Sequence, residues 1–308
     1  MRLAGETVFR LPAKLAGWYC GLYEYSRHNC VDEINVGMHL MCRKEAIYHF
    51  LYGEKGFRFS GCLSGIRGNR LVASFHHAPS RFDEMVPYKR HLRYLDHAIV
   101  MASNQVEHIE QWVGQGKVSV VPHGVDVDYW QPAADRVVGE RLKCVFAGLH
   151  MRDFETLEAV VKCVNQSNAP VDFVLLCSDR RCESIASLPN VTWRPRTSDE
   201  DFRYEIQSSD ALVLPLNDST AVNSVLEAMA CGLAVITTAG GVSDYLRPSF
   251  SLQFQRGDSA AMAETVICLA EDRELLARMQ IAAREEAQNL SWTSVARRIR
   301  EVYTQFGG

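Results

Sequence analysis

The stretch VLPLNDSTAVNSVLEAMACGLAVITTAGGVSDY, Val213–Tyr245, decides the fold. It reads as strand, loop, helix, strand and glycine-rich loop, with one carboxylate, Glu227, inside the helix. Asn223 and Ser224 are placed to cap that helix, so its first amides and the positive end of its dipole would face the loop as an anion site. Glu227 follows about one turn further in, within reach of hydroxyls on whatever occupies the helix start. An anion beside vicinal hydroxyls describes a nucleotide.

Working outward, the chain from about Glu45 alternates short apolar runs with amphipathic segments. AIYHFLY (46–52) reads as a buried strand, followed by a helix up to Ile66 and the strand LVASF (71–75). A helix around Tyr88–Tyr94, the strand HAIVMAS, a helix from Gln105 to Val113 and the strand VSVVPHG continue the rhythm of a parallel α/β sheet. VPHGVDVDYWQP (121–132) breaks the alternation with glycine, proline and aspartates, and marks a domain boundary. A second series follows, with strands at CVFAG (144–148), VDFVLLC (171–177), NVTWRP (190–195), ALVLPL (211–216) and AVITT (234–238). Ser259–Phe306 is helical. The expected class is α/β, with two Rossmann-like parallel-sheet domains at 1–132 and 133–291 and a closing helix, 292–308, packing back toward the first. The first 44 residues offer aromatics and short apolar patches but no convincing strand, which leaves open an incomplete N-terminal domain.

With 308 residues, 47% hydrophobic and 23% charged, the chain suits a soluble globular protein of two domains. A net charge of −4, with neither half strongly basic, argues against a nucleic-acid partner. Ten cysteines without a CxxC pair suit reduced, mostly buried thiols. No run approaches the roughly 18 apolar residues of a membrane span, and a signal-peptide pattern is missing. A cytoplasmic location is expected. KRHLRY (89–94) mixes basic and apolar residues, reading either as a solvated helix face or as a peripheral contact with the inner face of a membrane. GEKGFRFSG (53–61) lacks Walker spacing and reads as a strand-to-helix turn. HExxH and clustered Cys/His patterns are also missing, so neither a metal nor a cofactor is expected.

Three ordered signatures carry a resemblance. LEAMACG with its following strand and the Gly240–Gly241 pair, the linker VVPHGVDVDYWQP, and NLSWTSVARRIREVY are similar to the donor signature, inter-domain segment and closing helix of the family-4 retaining glycosyltransferases of GT-B architecture. The resemblance covers roughly residues 46–306. It implies an acceptor-side N-terminal domain, a C-terminal domain for a nucleotide-sugar donor, and transfer with retention to a hydroxyl acceptor, be it glycan, lipid-linked or small molecule.

The same resemblance implies roles for individual residues. Glu227 would accept the ribose hydroxyls, and the amides of Asn223, Ser224 and Val225 would hold the diphosphate. Arg152, five residues before Leu157, would neutralise the leaving group. His150 would stand in for a family arginine whose place Leu149 takes. His76, ending the strand LVASF ahead of His77, would approach the sugar or the acceptor, and Arg196 would lie beside the base. Asp244 follows the glycine pair as a loop-shaping residue. The first of the family's two carboxylates should stand eight residues before Glu227, and that position is Ser219, with Asp218 adjacent. Serine keeps a hydrogen-bonding group there without the charge. A noncatalytic GT-B-like protein that binds a nucleotide-sugar or a partner is therefore the alternative. A nucleotide-sugar epimerase would need further acid and base carboxylates, and no such set stands out.

Overall fold

The computed structural model describes residues 25–134 and 139–307. They divide into two compact units, one running up to Pro122 and resuming at Arg297, the other His123–Ala296. The first break falls at the start of the expected linker rather than at its end.

In the first unit, α1 (Arg27–Cys42) starts at Ser26, where a capping box with Asn29 satisfies the first amides. This helix lies in the segment where no regular pattern was expected. It buries only Glu33, Gly37 and Leu40, too few apolar positions to print a helical period on the sequence. β1 (Ile47–Phe50) leads to the short α2 (Gly53–Gly56). The expected helix up to Ile66 is instead two 3-10 turns, Ser60–Leu63 and Ile66–Gly68, because Gly65 and Arg67 take left-handed conformations that stop an α-helix. Next come β2 (Arg70–Phe75), α3 (Pro79–Met85), β3 (His97–Val100), α4 (Val106–Val113) and β4 (Val118–Val120). The strands form a parallel sheet in the order β1-β2-β3-β4. Leu71–Phe75 is wholly buried, which explains why this strand was legible as an apolar run. Asn69, fully buried, ties α1 to the sheet by donating to the carbonyls of Leu40 and Arg43 while accepting the Ala46 N–H.

The second unit holds β5 (Leu142–Ala147), α5 (Phe154–Ser167), β6 (Val171–Leu176), α6 (Cys182–Ala186), β7 (Val191–Trp193) and α7 (Asp199–Gln207). It continues with β8 (Ala211–Leu214), α8 (Asn223–Ala230), β9 (Ala234–Thr238), β10 (Ser251–Phe254), α9 (Ser259–Glu271) and α10 (Arg273–Gln288). A final helix, α11, spans Trp292–Thr304. The sheet is parallel, ordered β10-β9-β8-β5-β6-β7. Helices cover both faces, α5 packing with α9 and α8 with α10, around a core that includes Phe146, Phe173 and Phe250. Both sheets are Rossmann-like. In the second, chain order reverses between β5 and β8, and the carboxyl ends of such a pair are where open α/β sheets bind ligands.

Candidate functional site

The loops leaving β5 and β8 are zipped together at that switch point. Arg152 and Leu216 form an antiparallel bridge. Beside it the Asp153 N–H donates to Pro215 O at 3.0 Å, and Asn217 donates its backbone N–H to Met151 O at 2.8 Å and its amide to Arg152 O at 2.9 Å. The zipper turns the Arg152 side chain inward. Its guanidinium donates to Ala147 O at 2.9 Å, His150 O at 2.8 Å and Ser224 Oγ at 3.0 Å. Two left-handed residues, Gly148 (φ 91°) and Met151 (φ 58°), make the turn. A Cβ on Gly148 would lie 2.5 Å from Arg152 Nη2, so a larger residue there displaces the guanidinium.

The start of α8 differs from expectation in two ways. The N-cap is Val222, and no side chain caps the helix. Ser224 is buried and its hydroxyl accepts Arg152 instead, so a guanidinium stands where a cap was expected. The Val225 N–H already donates to Val222 O at 2.9 Å, and Val225 is fully buried. The helix therefore offers its first donors at Asn223, which is exposed, and Ser224.

Glu227 lies in the middle of α8. Burial pushes its carboxyl up to about 7, partly opposed by the nearby charge of Arg152. Burial likewise lowers Arg152, to about 10, against the pull of Cys177 and Glu227. A buried cation at the start of α8 and a carboxyl one turn further along thus face each other's charge. Glu227 and Asn223 line a cavity of about 150 Å³ together with His123, Asp126, Trp130 and Trp292. A larger cavity of about 590 Å³ is lined by Arg152, Asn217, Arg181, Arg256 and the first turn of α5.

The surroundings of Glu227 explain the three signatures physically. His123 donates its backbone N–H to the Tyr245 hydroxyl, beyond the glycine pair, at 2.9 Å. Its ring packs on Trp292 with centroids 5.0 Å apart. Gly124 is glycine because a Cβ would stand 2.5 Å from the Trp292 ring. Val125 bonds back to Leu290 O at 2.9 Å. Linker, glycine loop and closing segment are one packed constellation.

Ser219 is buried, and its hydroxyl accepts the Val242 N–H at 3.2 Å. It stands 2.7 Å from where a Cβ on Gly240 would be. The side chain at the expected carboxylate position therefore holds the glycine loop. Asp218 accepts the Ser219 N–H at 2.7 Å. His150 is exposed and contributes its carbonyl to Arg152, while Arg196 is exposed in the loop after β7 and Asp244 is exposed beyond the glycine pair.

In the first unit His76 stands at the carboxyl end of β2, its ring stacked on Tyr52 with centroids 4.8 Å apart. Sequence reasoning missed the group that fixes it. Glu54, buried in α2, accepts the backbone N–H of His76 and that of His77 at 3.1 Å, and its other oxygen lies 3.7 Å from His76 Nδ1. Burial would raise the Glu54 carboxyl, yet hydrogen bonding and charge from His76 outweigh it and hold the group below its usual range. Burial lowers His77. GEKGFRFSG thus carries a buried anion rather than a phosphate loop. KRHLRY forms a 3-10 turn, Arg90–Tyr94, with Leu92 and Lys89 buried, and so is not a solvated α-helical face.

Among the described residues no cluster of three or more His, Cys, Asp and Glu could hold a metal. None of their helices is long and apolar enough to cross a membrane.

Residues 142–272 match the profile of the family described as Glycosyl transferases group 1. A D-inositol 3-phosphate glycosyltransferase from Streptomyces coelicolor is 30% identical over 116 residues, which is 37% of this chain and 25% of that protein. The match thus spans a quarter of that relative's length. Among solved structures, sucrose-phosphate synthase from Thermosynechococcus elongatus superposes with a TM-score of 0.66 at 20% identity, covering 84% of this chain and 73% of that one. Anabaena HepE, in a complex with UDP, gives 0.71 at 14% identity, covering 89% and 82%. At these identities the likeness concerns the fold. Residues 142–272 are thus similar to the group 1 glycosyltransferases, and the two parallel sheets have the fold of the GT-B structures.

Proposed function

We propose that the chain transfers a sugar from a nucleoside diphosphate donor to a hydroxyl acceptor with retention at the anomeric carbon. The observation that carries this reading is the bond from Arg152 to Ser224 Oγ, which seats a buried guanidinium at the start of the helix that holds Glu227. The bond to the anomeric carbon breaks with its electrons going to the diphosphate. Arg152 and the Asn223 and Ser224 amides stabilise that developing charge. The departing phosphate oxygen takes the acceptor's proton as the acceptor oxygen bonds to the same face of the sugar. Glu227 accepts the ribose hydroxyls. His76, fixed by Glu54 and Tyr52, orients the sugar or the acceptor, and Arg196 lies beside the base. The chemistry needs positioned cations and dipoles, and the chain supplies them without calling on a cofactor. Relatives in complex with UDP or UDP-glucose support a uridine nucleotide as donor.

Ser219 favours a second reading. With its hydroxyl bonded to the glycine loop, no carboxylate stands at that position to hold the donor sugar, as suits a protein that binds nucleotide-sugars without turnover. Screening nucleotide-sugars by mass spectrometry, for both bound nucleotide and released or transferred sugar, separates the two. Turnover is expected to fall by roughly a hundredfold in Arg152→Ala with a smaller loss of nucleotide affinity. Equal loss of both contradicts a role in the transition state, and binding without any turnover selects the second reading.

A further inference from the structure

The first unit contains a cavity of about 720 Å³ that the proposed reaction does not use. Its wall carries Arg58, Lys89 and Arg90, with the rings of Tyr88 and Trp112, and among the described residues no carboxylate lines it. Arg58 and Lys89 are withdrawn below the surface, 7% and 8% exposed. Both are fixed in place. Arg58 Nη1 donates to Tyr88 O at 2.6 Å and meets His91 Nδ1 at 2.8 Å. Burial and the Arg58 charge lower His91 to about 3, so the ring is neutral and can accept. Lys89 Nζ pairs with Asp83 at 2.8 Å and lies 5.6 Å from the Trp112 ring centroid. Asp83 is shared with His108 Nε2 at 3.0 Å. The indole N–H of Trp112 is buried and has no acceptor among the described residues. A buried donor in that state points to a missing partner.

The cavity lies away from His76. Strands β1 to β4 are parallel, and α4 runs back against them, so Trp112 in its last turn lies toward their amino ends. The turn Arg90–Tyr94 leads directly into the start of β3. His76 stands at the opposite end, after β2.

We propose that this cavity binds a phosphate ester carried on a ring, with the phosphate held by Arg58, Lys89 and Arg90 and the ring laid against Tyr88. Two guanidiniums, an ammonium and the indole N–H present only donors, which suits a multiply charged oxyanion. Ring faces beside the cations supply the stacking surface that a bare anion would not use. A bilayer fits less well. Of the three cations only Arg90 projects, and a flat headgroup layer does not reach the withdrawn pair.

The test is fluorine NMR of the full chain labelled with 5-fluorotryptophan, with the Trp112 resonance assigned through Trp112→Phe. Phenyl phosphate is expected to shift that resonance saturably and to bind roughly tenfold more tightly than inorganic phosphate, about the factor that ring stacking contributes. Arg90→Ala and Tyr88→Ala alter exposed side chains compatible with folding, and each is expected to weaken phenyl phosphate by roughly tenfold. Absence of a saturable shift, or unchanged affinity in both variants, overturns the proposal. So does a response to phosphatidylglycerol vesicles without one to phenyl phosphate, which assigns the face to a membrane.

Discussion

The guanidinium of Arg152 donates to Ser224 Oγ at 3.0 Å, joining the loop after β5 to the first turn of α8. The same guanidinium is held by the carbonyls of Ala147 and His150, so Ser224 sets its direction rather than its presence. Ser224→Ala is expected to cost about 1 kcal/mol of stability, the net worth of one hydrogen bond. Turnover with a nucleotide-sugar should fall by roughly tenfold while nucleotide affinity changes little, because a cation aimed at the leaving group acts on the transition state. Arg152→Lys should lose more than Ser224→Ala, since one ammonium cannot reproduce the planar fork that reaches all three acceptors. Steady-state kinetics with calorimetric nucleotide binding read both effects, and a rise in KM alone in Ser224→Ala contradicts the assignment.

Gly148→Ala tests the turn from the other side. The residue holds φ 91°, and a Cβ would press on Arg152 Nη2. A left-handed alanine costs about 1 kcal/mol, a modest loss for thermal melts. Activity is expected to drop further than the melt implies, toward the level of Arg152→Ala, because the new methyl displaces the guanidinium. A variant that melts lower yet keeps full turnover shows that Arg152 can be moved without consequence.

The strands were legible because Cys144–Ala147, Ala211–Leu214 and Ala234–Ile236 are apolar runs buried on both faces, a pattern that depends on composition alone. Arg152 and Glu227 were singled out by spacing against a known signature, and the structure puts Arg152 beside α8 and Glu227 within it. Glu54 was not, because its partners are backbone amides 22 and 23 residues away, and backbone groups leave no trace in side-chain patterns. Ser224 was found for the wrong contact. Cap propensity is a local rule, and here the tertiary contact with Arg152 overrides it, leaving Val222 as the N-cap. The 3-10 turn at KRHLRY was not legible, because burial of Lys89 depends on Asp83, Phe82 and Trp112, none of which the stretch contains.

Glu54→Gln should expose how much the end of β2 depends on one anion. The Glu54 carboxyl is held below its usual range, so its contribution is complete above the unfolded value, near 4.3, and is lost as pH falls through the folded value. The amide keeps one acceptor and loses the charge facing His76. At neutral pH the variant is expected to be less stable by on the order of 2 kcal/mol, because the buried carboxylate's bonds to the His76 and His77 amides are weakened. The gap to the parent protein should close on acidification below about pH 4. Urea titrations at pH 3.5 and pH 7 measure it, and a gap of equal size at both shows that the charge on Glu54 is not what fixes His76.

Glu227 runs the opposite way. Its carboxyl is raised to about 7, so the fold prefers the protonated form, and its favourable share is complete below the unfolded value near 4.3. That share is lost as pH rises through 7, by on the order of 3 kcal/mol for a shift of this size. Glu227→Gln mimics the neutral group and should match the parent near pH 4.5, then exceed it in melting temperature by pH 8. The same variant is expected to bind nucleotide less well at pH 8, where the parent presents a carboxylate to the ribose hydroxyls, so stability and binding move apart. Thermal melts with and without UDP across pH 4.5–8 read both. Parallel pH profiles for variant and parent would show that Glu227 does not titrate in the fold, and an undiminished UDP shift would remove it from the nucleotide site.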